Sequence, residues 1–323
     1  MNVLIVGLGS MGKRRMRLIK QNYPEYNLFG FDTNDERSKD VSDMFGAKIF
    51  RDINDAIEQV QFNCGFVCTA PLAHNEIIKI LLKSNINVFT ELNLVSDGYA
   101  ELINIKKESL LFLSSTLIYR NDLQFICDKV NGNKVNYIYH SGQYLPDWHP
   151  WENYNDFFVG DKRTNGCREI FAIELPWMTK CFGQVKNFTV IKDKATSLKL
   201  DYYDNFILML EHENGTKGLF AVDIISRKAM RKLEIFSENI HLFWDGTPDS
   251  LKSYNTTNKK LETIEVYSDI EKDSHYCDNI VENAYLDEIR AFFHAVETGD
   301  CSKIRYSFKD DIDILKLISD FGA

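Results

Sequence analysis

The chain has 323 residues, of which 44% are hydrophobic and 26% charged, and its formal net charge is −9. That length exceeds one ordinary core and fits two domains, and the composition is that of a soluble globular protein rather than a disordered or fibrous one. The acidic balance argues against nucleic acid or an anionic membrane as the main partner, while leaving room for a phosphorylated substrate held by a local Arg or Lys pocket.

The first predicted strand, 2–6, runs straight into Gly7-Leu8-Gly9-Ser10-Met11-Gly12. In such a G-x-G-x-x-G turn the first glycine permits the tight bend and the second lets the backbone approach a pyrophosphate. The third lets the following helix pack close to the strand, with the helix N-terminus facing the phosphates. A second strand, 27–32, ends in Asp32, 20 residues past Gly12. A carboxylate there accepts hydrogen bonds from the adenosine ribose and repels a 2′-phosphate, so NAD is favoured over NADP. Arg37 is the residue that speaks for NADP; its other reading is the solvated face of a helix starting near Asn34.

Strands are predicted next at 47–50, 64–69, 87–90 and 110–114, alternating with helices at 10–21, 34–45, 53–59, 73–84 and 97–107. This alternation predicts a doubly wound parallel sheet, whose ligands sit beyond the carboxyl ends of the strands. The loops so placed hold Thr69, Ala70 and Pro71, then Glu91 and Asn93, and the stretch 116–120. His74 opens the helix after the fourth strand. A helix at 122–130, a strand at 134–145 and an aromatic loop at 146–159 follow, then a helix at 166–182. Strands at 184–191, 203–212, 217–225, 230–237 and 240–244 have no helices between them, which predicts a mostly antiparallel sheet. Asn214-Gly215 is a hairpin turn signal. The polar stretch 249–260 reads as a loop or an edge hairpin. Helices at 279–297 and 308–318 close the chain. The expected domains are 1–118, binding NAD, and 119–323, for substrate and oligomer contacts; the final helices are free to pack back on the first domain.

The seven cysteines are scattered, odd in number and without a Cys-x-x-Cys pair, which predicts reduced thiols and no zinc site. A strand beginning at residue 2 leaves no room for a signal peptide, and no apolar stretch has the length of a membrane span. The expected location is the cytoplasm.

The chain resembles the Gfo/Idh/MocA family of nicotinamide-dependent sugar oxidoreductases. The resemblance is carried by Gly-Leu-Gly-Ser-Met-Gly-Lys-Arg-Arg at 7–15, Cys-Thr-Ala-Pro-Leu-Ala-His at 68–74, Asn-Val-Phe-Thr-Glu at 87–91, Tyr-Arg at 119–120 and Ala-Tyr-Leu-Asp-Glu-Ile-Arg-Ala-Phe at 284–292. It implies a Rossmann domain followed by an α/β domain on an open, mostly antiparallel sheet, often a dimer or tetramer face. Gly-Gln-Tyr-Leu-Pro-Asp-Trp-His-Pro at 142–150 resembles a branch found in bacterial surface polysaccharide and nucleotide-sugar pathways. Two departures stand out. The family's usual Glu-Lys-Pro is Glu91-Leu92-Asn93 here, and Leu92 carries no proton. The helix that usually bears an Asp and a catalytic His has Ile170 at the Asp position and Ile173 or Glu174 at the His position.

An acid–base group is therefore sought elsewhere. Glu174 is the replacement by position, with an ion pair to Arg168 or Lys180 as its structural alternative. Glu169 is a second carboxyl on the same helix, whose ordinary reading is a solvated position. His149, beside Asp147, is able to exchange protons near neutral pH, or else is a loop histidine packed between rings. Tyr144 offers a phenolic hydrogen bond. Trp148 and Trp151 offer stacking surfaces for a sugar or base. Arg120 and Arg168 are candidates for bidentate contact with a phosphate or carboxylate; Arg120 has a salt bridge to Glu91 or Asp122 as its alternative. Of Lys13, Arg14 and Arg15, one is expected to neutralise the pyrophosphate and the others to face solvent. The leading function is NAD-dependent oxidation or reduction of a sugar or nucleotide sugar. The alternatives are an epimerase or lyase that recycles its NAD, and a non-catalytic dinucleotide- or sugar-binding regulator.

Overall fold

A computed structural model describes residues 1–105, 108–150, 152–270 and 280–323. It divides into two compact units, residues 1–115 with 285–312, and residues 116–284 with 313–323. Among the described residues no helix is long and apolar enough to cross a membrane.

The first unit is built on six strands: β1 (Asn2–Val6), β2 (Asn27–Phe31), β3 (Lys48–Phe50), β4 (Cys64–Val67), β5 (Asn87–Thr90) and β6 (Leu111–Leu113). All pair in parallel in the order β3-β2-β1-β4-β5-β6. The order reverses at β1, which places the loop after β1 at the switch point where such sheets bind ligands. Helices α1 (Ser10–Asn22), α2 (Asp35–Phe45), α3 (Ile53–Gln59), α4 (His74–Lys83) and α5 (Tyr99–Asn104) make the crossovers. Local chemistry sets their ends. Asn34 caps α2 by accepting the Arg37 N–H, Gly46 ends it in the left-handed region, and Asp52 caps α3. The helix predicted over 97–107 runs past the described residues at 106 and 107.

The second unit begins with α6 (Asn121–Val130), β7 (Asn136–Gly142) and α7 (Gly166–Phe182). Strands β8 (Val185–Asp193), β9 (Asn205–His212), β10 (Lys217–Asp223), β11 (Met230–Phe236), β12 (His241–Trp244), β13 (Lys252–Asn255) and β14 (Lys260–Thr263) follow. They form one eight-stranded sheet, ordered β14-β13-β12-β11-β7-β10-β9-β8. The sheet is mixed: β7 lies in the middle, parallel to β10 and antiparallel to β11. The polar stretch at 249–260 supplies the edge hairpin β13–β14. α7 covers one face, with Phe171 edge-on to Phe206 and Phe220, Trp177 against Tyr139, and Phe182 stacked on Tyr137.

α8 (Glu282–Thr298) and α9 (Phe308–Phe321) end the chain. The helix predicted from 279 begins outside the described residues. Within the first unit, Phe292 of α8 packs against Phe66, Phe89 and Phe112 on β4, β5 and β6 at 5.3–5.8 Å. A buried ion cluster fixes the same helix. Arg15, with no exposed surface, donates to Glu91 at 2.6 and 3.1 Å and to Glu288 at 2.8 Å. It also donates to the Tyr285 carbonyl oxygen at 3.0 Å, and its guanidinium lies over the Phe89 ring. The expectation that two of Lys13, Arg14 and Arg15 face solvent is thus corrected: Arg14 and Arg15 are both buried, with Arg14 stacked on Tyr285. Arg15→Leu leaves two buried carboxylates without their cation, and we expect a loss of about 3–5 kcal/mol in urea unfolding; a variant as stable as wild type contradicts the cluster's role.

Candidate functional site

In the first unit the chain leaves β1 through Gly7, whose φ of +90° suits only glycine. A Cβ on Gly7 would stand 2.9 Å from the Cys68 carbonyl group and from Thr69 Cγ2, and one on Gly12 would stand 2.0 Å from the Gly7 oxygen. Gly9 differs: nothing but the Arg37 guanidinium, at 4.0 Å, approaches its Cβ position. The loop is therefore packed on both sides and open at Gly9. Gly9 is also the N-cap residue of α1, which begins at Ser10 and Met11 with no side-chain cap and no acidic residue in its first turn. That end keeps its positive dipole for an anion.

Asp32 is buried at the end of β2. Its Oδ2 accepts the Leu8 N–H at 2.7 Å and its Oδ1 the Asn34 N–H at 2.8 Å, so one carboxylate clamps the glycine loop and starts α2. Each oxygen keeps a lone pair for a ligand hydroxyl. Beside the loop, Thr69 Oγ1 is buried without a hydrogen-bond partner among the described residues. The packed loop, open Gly9, acidic Asp32 and the Thr69 hydroxyl fit a dinucleotide, for which Gly9 would receive the pyrophosphate and Asp32 the ribose.

The other expected cofactor residues form one cluster. After Ala70, Pro71 opens a single 3₁₀ turn that hands the chain to His74. His74 is buried, with Nε2 2.8 Å from the Thr69 carbonyl oxygen and Nδ1 2.5 Å from the Asn93 side-chain amide. Burial lowers its pKa, so the ring is neutral. Nε2 faces the Thr69 carbonyl oxygen and Nδ1 faces Asn93 Oδ1, with the Thr90 hydroxyl 3.4 Å from Nδ1. His74 thus locks the loop after β4 to the loop after β5. Glu91 is held by Arg15, and the Cys68 thiol lies 3.8 Å from its Oε1.

In the second unit the ends of β7 and β10 carry the aromatic loop. Tyr144 N–H donates to the Ser226 carbonyl at 2.6 Å and Leu145 N–H to that of Ile224 at 3.0 Å, while Arg227 lies over the Tyr144 ring at 4.0 Å. Trp148 donates its indole N–H to the Gln143 carbonyl. Its ring edge comes 3.6 Å from where a Cβ on Gly166 would stand, so glycine at the start of α7 seats the tryptophan. His149 pairs with Glu152 at 2.5 Å and stacks on Phe157 at 4.4 Å. Trp151 lies outside the described residues.

Glu174 is fully buried and faces the sheet. Oε2 accepts from the Tyr139 hydroxyl and the Trp177 indole, both at 2.8 Å; Oε1 accepts from Ser141 at 3.1 Å and Arg231 at 2.8 Å. Four donors occupy its four acceptor sites. The ion pair is with Arg231 on β11, not with Arg168 or Lys180 as expected; a partner 57 residues away left no sequence signal. A carboxylate so filled is an anchor for the sheet, with no lone pair left to take a substrate proton.

Arg120 is also enclosed. It pairs with Asp122, donates to the Gly246 carbonyl at 2.8 Å and lies over Trp244. Of its two expected alternatives, Asp122 is a partner. Arg168 donates to the Ala323 carbonyl oxygen at 2.6 Å and to the Ser319 hydroxyl. The arginines read as anion-binders are thus engaged in holding the fold.

Residues 1–104 match the Gfo/Idh/MocA family model, described as an oxidoreductase family with an NAD-binding Rossmann fold. No curated protein matches the chain in sequence. Among solved structures, the fold is similar to UDP-N-acetylglucosamine 3-dehydrogenase GnnA from Acidithiobacillus ferrooxidans, at a TM-score of 0.75 and 14% identity over 99% of this chain and 96% of that one. It is similar to GenD2 from gentamicin A biosynthesis, in complex with NAD, at 0.75 and 15% over 99% and 92%. An oxidoreductase from Agrobacterium radiobacter, in complex with NAD⁺, L-tartaric acid and magnesium, scores 0.76 at 14% over 99% and 94%.

The two glycines make separable predictions. Gly12→Ala drives a methyl into the Gly7 carbonyl and is expected to lower stability by roughly 1–3 kcal/mol. Gly9→Ala is expected to leave the melting temperature unchanged and to weaken NADH binding, read by fluorescence titration. Undiminished binding in Gly9→Ala contradicts the cradle.

Proposed function

We propose that this chain, whose N-terminal domain is the NAD-binding Rossmann domain of the Gfo/Idh/MocA oxidoreductases, moves hydride between a nicotinamide dinucleotide and a carbon of a sugar or nucleotide sugar. The observation that carries the reading is the glycine loop packed at Gly7 and Gly12, open at Gly9 and clamped by Asp32. Its residues would hold the pyrophosphate and ribose; Thr69, Ala70, Pro71, His74, Glu91 and Asn93 form the framework beside them. The dinucleotide supplies or accepts the hydride when bound. Asp32 favours NAD over NADP, because a second negative charge beside a buried carboxylate is costly.

The sugar class rests on fold relatives named as a UDP-N-acetylglucosamine dehydrogenase and a gentamicin A biosynthesis enzyme, and on the resemblance of 142–150 to surface-polysaccharide enzymes. We assign substrate contacts to Tyr144, Trp148 and His149, since Arg120 and Arg168 hold the fold. We place the protein in the cytoplasm, in bacterial surface carbohydrate synthesis. The test is NADH deuterated at C4, on each face in turn, incubated with nucleotide sugars and keto sugars. Deuterium in a sugar, read by mass spectrometry, is the expected result; no label with NADH shown to be bound contradicts hydride transfer to those compounds.

We also propose that a second copy covers the free face of the second unit's sheet. Ile138, Leu219 and Met209 lie side by side across β7, β10 and β9, with Ile207 and Ile191 beside them, and all five are exposed. Phe188 and Phe236 help to line a groove of about 490 Å³ there. Lys217 opposite Glu211, and Lys232 two residues before Glu234 on β11, give that face both signs of charge, which suits a self-complementary contact about a two-fold axis. Leu219→Asp is expected to halve the mass seen by light scattering and leave the far-ultraviolet spectrum unchanged; an unaltered mass contradicts this interface.

A further inference from the structure

One end of the second unit's sheet carries a cation that the fold does not neutralise. β10 ends at Asp223, and this buried carboxylate shapes the turn that follows. Its Oδ1 accepts the Ile225 and Ser226 N–H groups at 3.0 and 2.7 Å. Its Oδ2 accepts the Ser226 hydroxyl at 3.1 Å and faces His140 Nε2 at 2.5 Å. The turn is tied to the end of β7 as well, because the Tyr144 N–H donates to the Ser226 carbonyl oxygen at 2.6 Å. Arg227 is the next residue, and its guanidinium lies 4.0 Å from the centre of the Tyr144 ring. One carboxylate therefore fixes the turn from which both the ring and the cation over it are presented.

Arg227 differs from the arginines already placed. Arg15, Arg120 and Arg168 are buried and end on carboxylates or carbonyl oxygens of the fold. Arg227 is exposed, and among the described residues its guanidinium has no ion pair and no hydrogen bond. Stacking occupies the flat face of a guanidinium and leaves its five N–H donors around the edge. The ring also holds the group in place, so a ligand does not have to order a loose side chain. Lys228 follows, exposed as well. The acids nearby in the chain leave both cations uncommitted: Asp223 is filled as above, Asp245 is turned to Thr247, and Asp147 pairs with neither among the described residues. Two polar groups at the same place are open, since the Gln143 amide and the Tyr144 hydroxyl have no hydrogen-bond partner among the described residues. Trp148, whose indole N–H reaches the Gln143 carbonyl oxygen at 3.0 Å, is half-buried beside them.

We propose that Arg227, seated on Tyr144 and followed by Lys228, binds the diphosphate of the substrate, so that the substrate is a nucleotide-activated sugar and not a free one. This rests on the sugar reading above and narrows it. A planar guanidinium meets two phosphate oxygens at once, and two adjacent cations suit two linked phosphates better than a single carboxylate. The chain carries a net charge of −9, so an anionic ligand needs uncommitted cations to hold it against that field. Trp148 adds an aromatic face for the sugar or the base.

The test is binding, measured by calorimetry with NADH saturating so that the first unit's pyrophosphate cradle is already filled. Inorganic pyrophosphate and UDP are the probes; N-acetylglucosamine and glucuronate are the neutral and carboxylate comparisons. Wild type should bind pyrophosphate and UDP more tightly than either sugar. Arg227→Gln should weaken both probes by roughly 10–100-fold, the size of a charge-assisted hydrogen bond, with the melting temperature and NADH affinity unchanged. Tyr144→Ala keeps the charge and removes its seat, and should weaken them by about 2–5-fold. Arg227→Lys should recover only part of the affinity. Pyrophosphate and UDP held equally well by Arg227→Gln overturn the proposal, as does glucuronate bound as tightly as pyrophosphate. In the deuterium experiment, label entering free sugars as readily as nucleotide sugars overturns it and leaves hydride transfer standing. No label in any sugar, with UDP binding lost in Arg227→Gln, removes hydride transfer and supports the diphosphate site.

Discussion

One buried guanidinium holds the cofactor half together. Arg15 leaves the inner face of α1 one turn after the glycine loop and meets Glu91, just beyond β5, and Glu288, on α8. A cation without exposed surface is tolerable only where carboxylates and carbonyls surround it. Two carboxylates for one cation leave an excess of negative charge, and the fold answers with neutral donors: the Ser114 hydroxyl and the Ser115 N–H both bond Glu288. Burial pushes the Glu288 carboxyl up and Arg15 pulls it down. Arginine suits the place because its planar fork serves both carboxylates and the Tyr285 carbonyl at once, which a lysine ammonium on its flexible stem does not. The glycine loop, the strand ends beside it and α8 are thus set by one contact.

The same rule, that a buried charge must be matched or neutralised, separates the acidic groups beyond this cluster. Asp122 is matched by Arg120, the Trp244 indole and the Tyr267 hydroxyl. Glu174 is matched by Arg231 and three neutral donors. Asp32 is matched by two backbone N–H groups and still has acceptor capacity. Glu169 Oε2 has no hydrogen-bond partner among the described residues, and burial raises the pKa of this carboxyl. Matched groups are committed to the fold, whereas Asp32 keeps acceptor capacity. Arg15, Arg120 and Arg168 likewise all have protein partners.

The sequence by itself determined the parallel sheet, because apolar runs of strand length alternate with periodic helices, two of them announced by the caps Asn34 and Asp52. It determined the dinucleotide cradle too: Gly7, Gly9 and Gly12 act through missing side chains in one turn, and Asp32 follows at a fixed distance along the same βαβ unit. These are local relations, written in spacing. Which charged side chains carry chemistry was not local. The partners that decide it stand far along the chain, Glu288 from Arg15, Arg231 from Glu174, Ala323 from Arg168, and no spacing rule links them. Only the tertiary structure could fill the oxygens of Glu174 and leave one of Glu169 empty, since a carboxyl's reactivity is set by the donors and water around it and not by its neighbours in sequence.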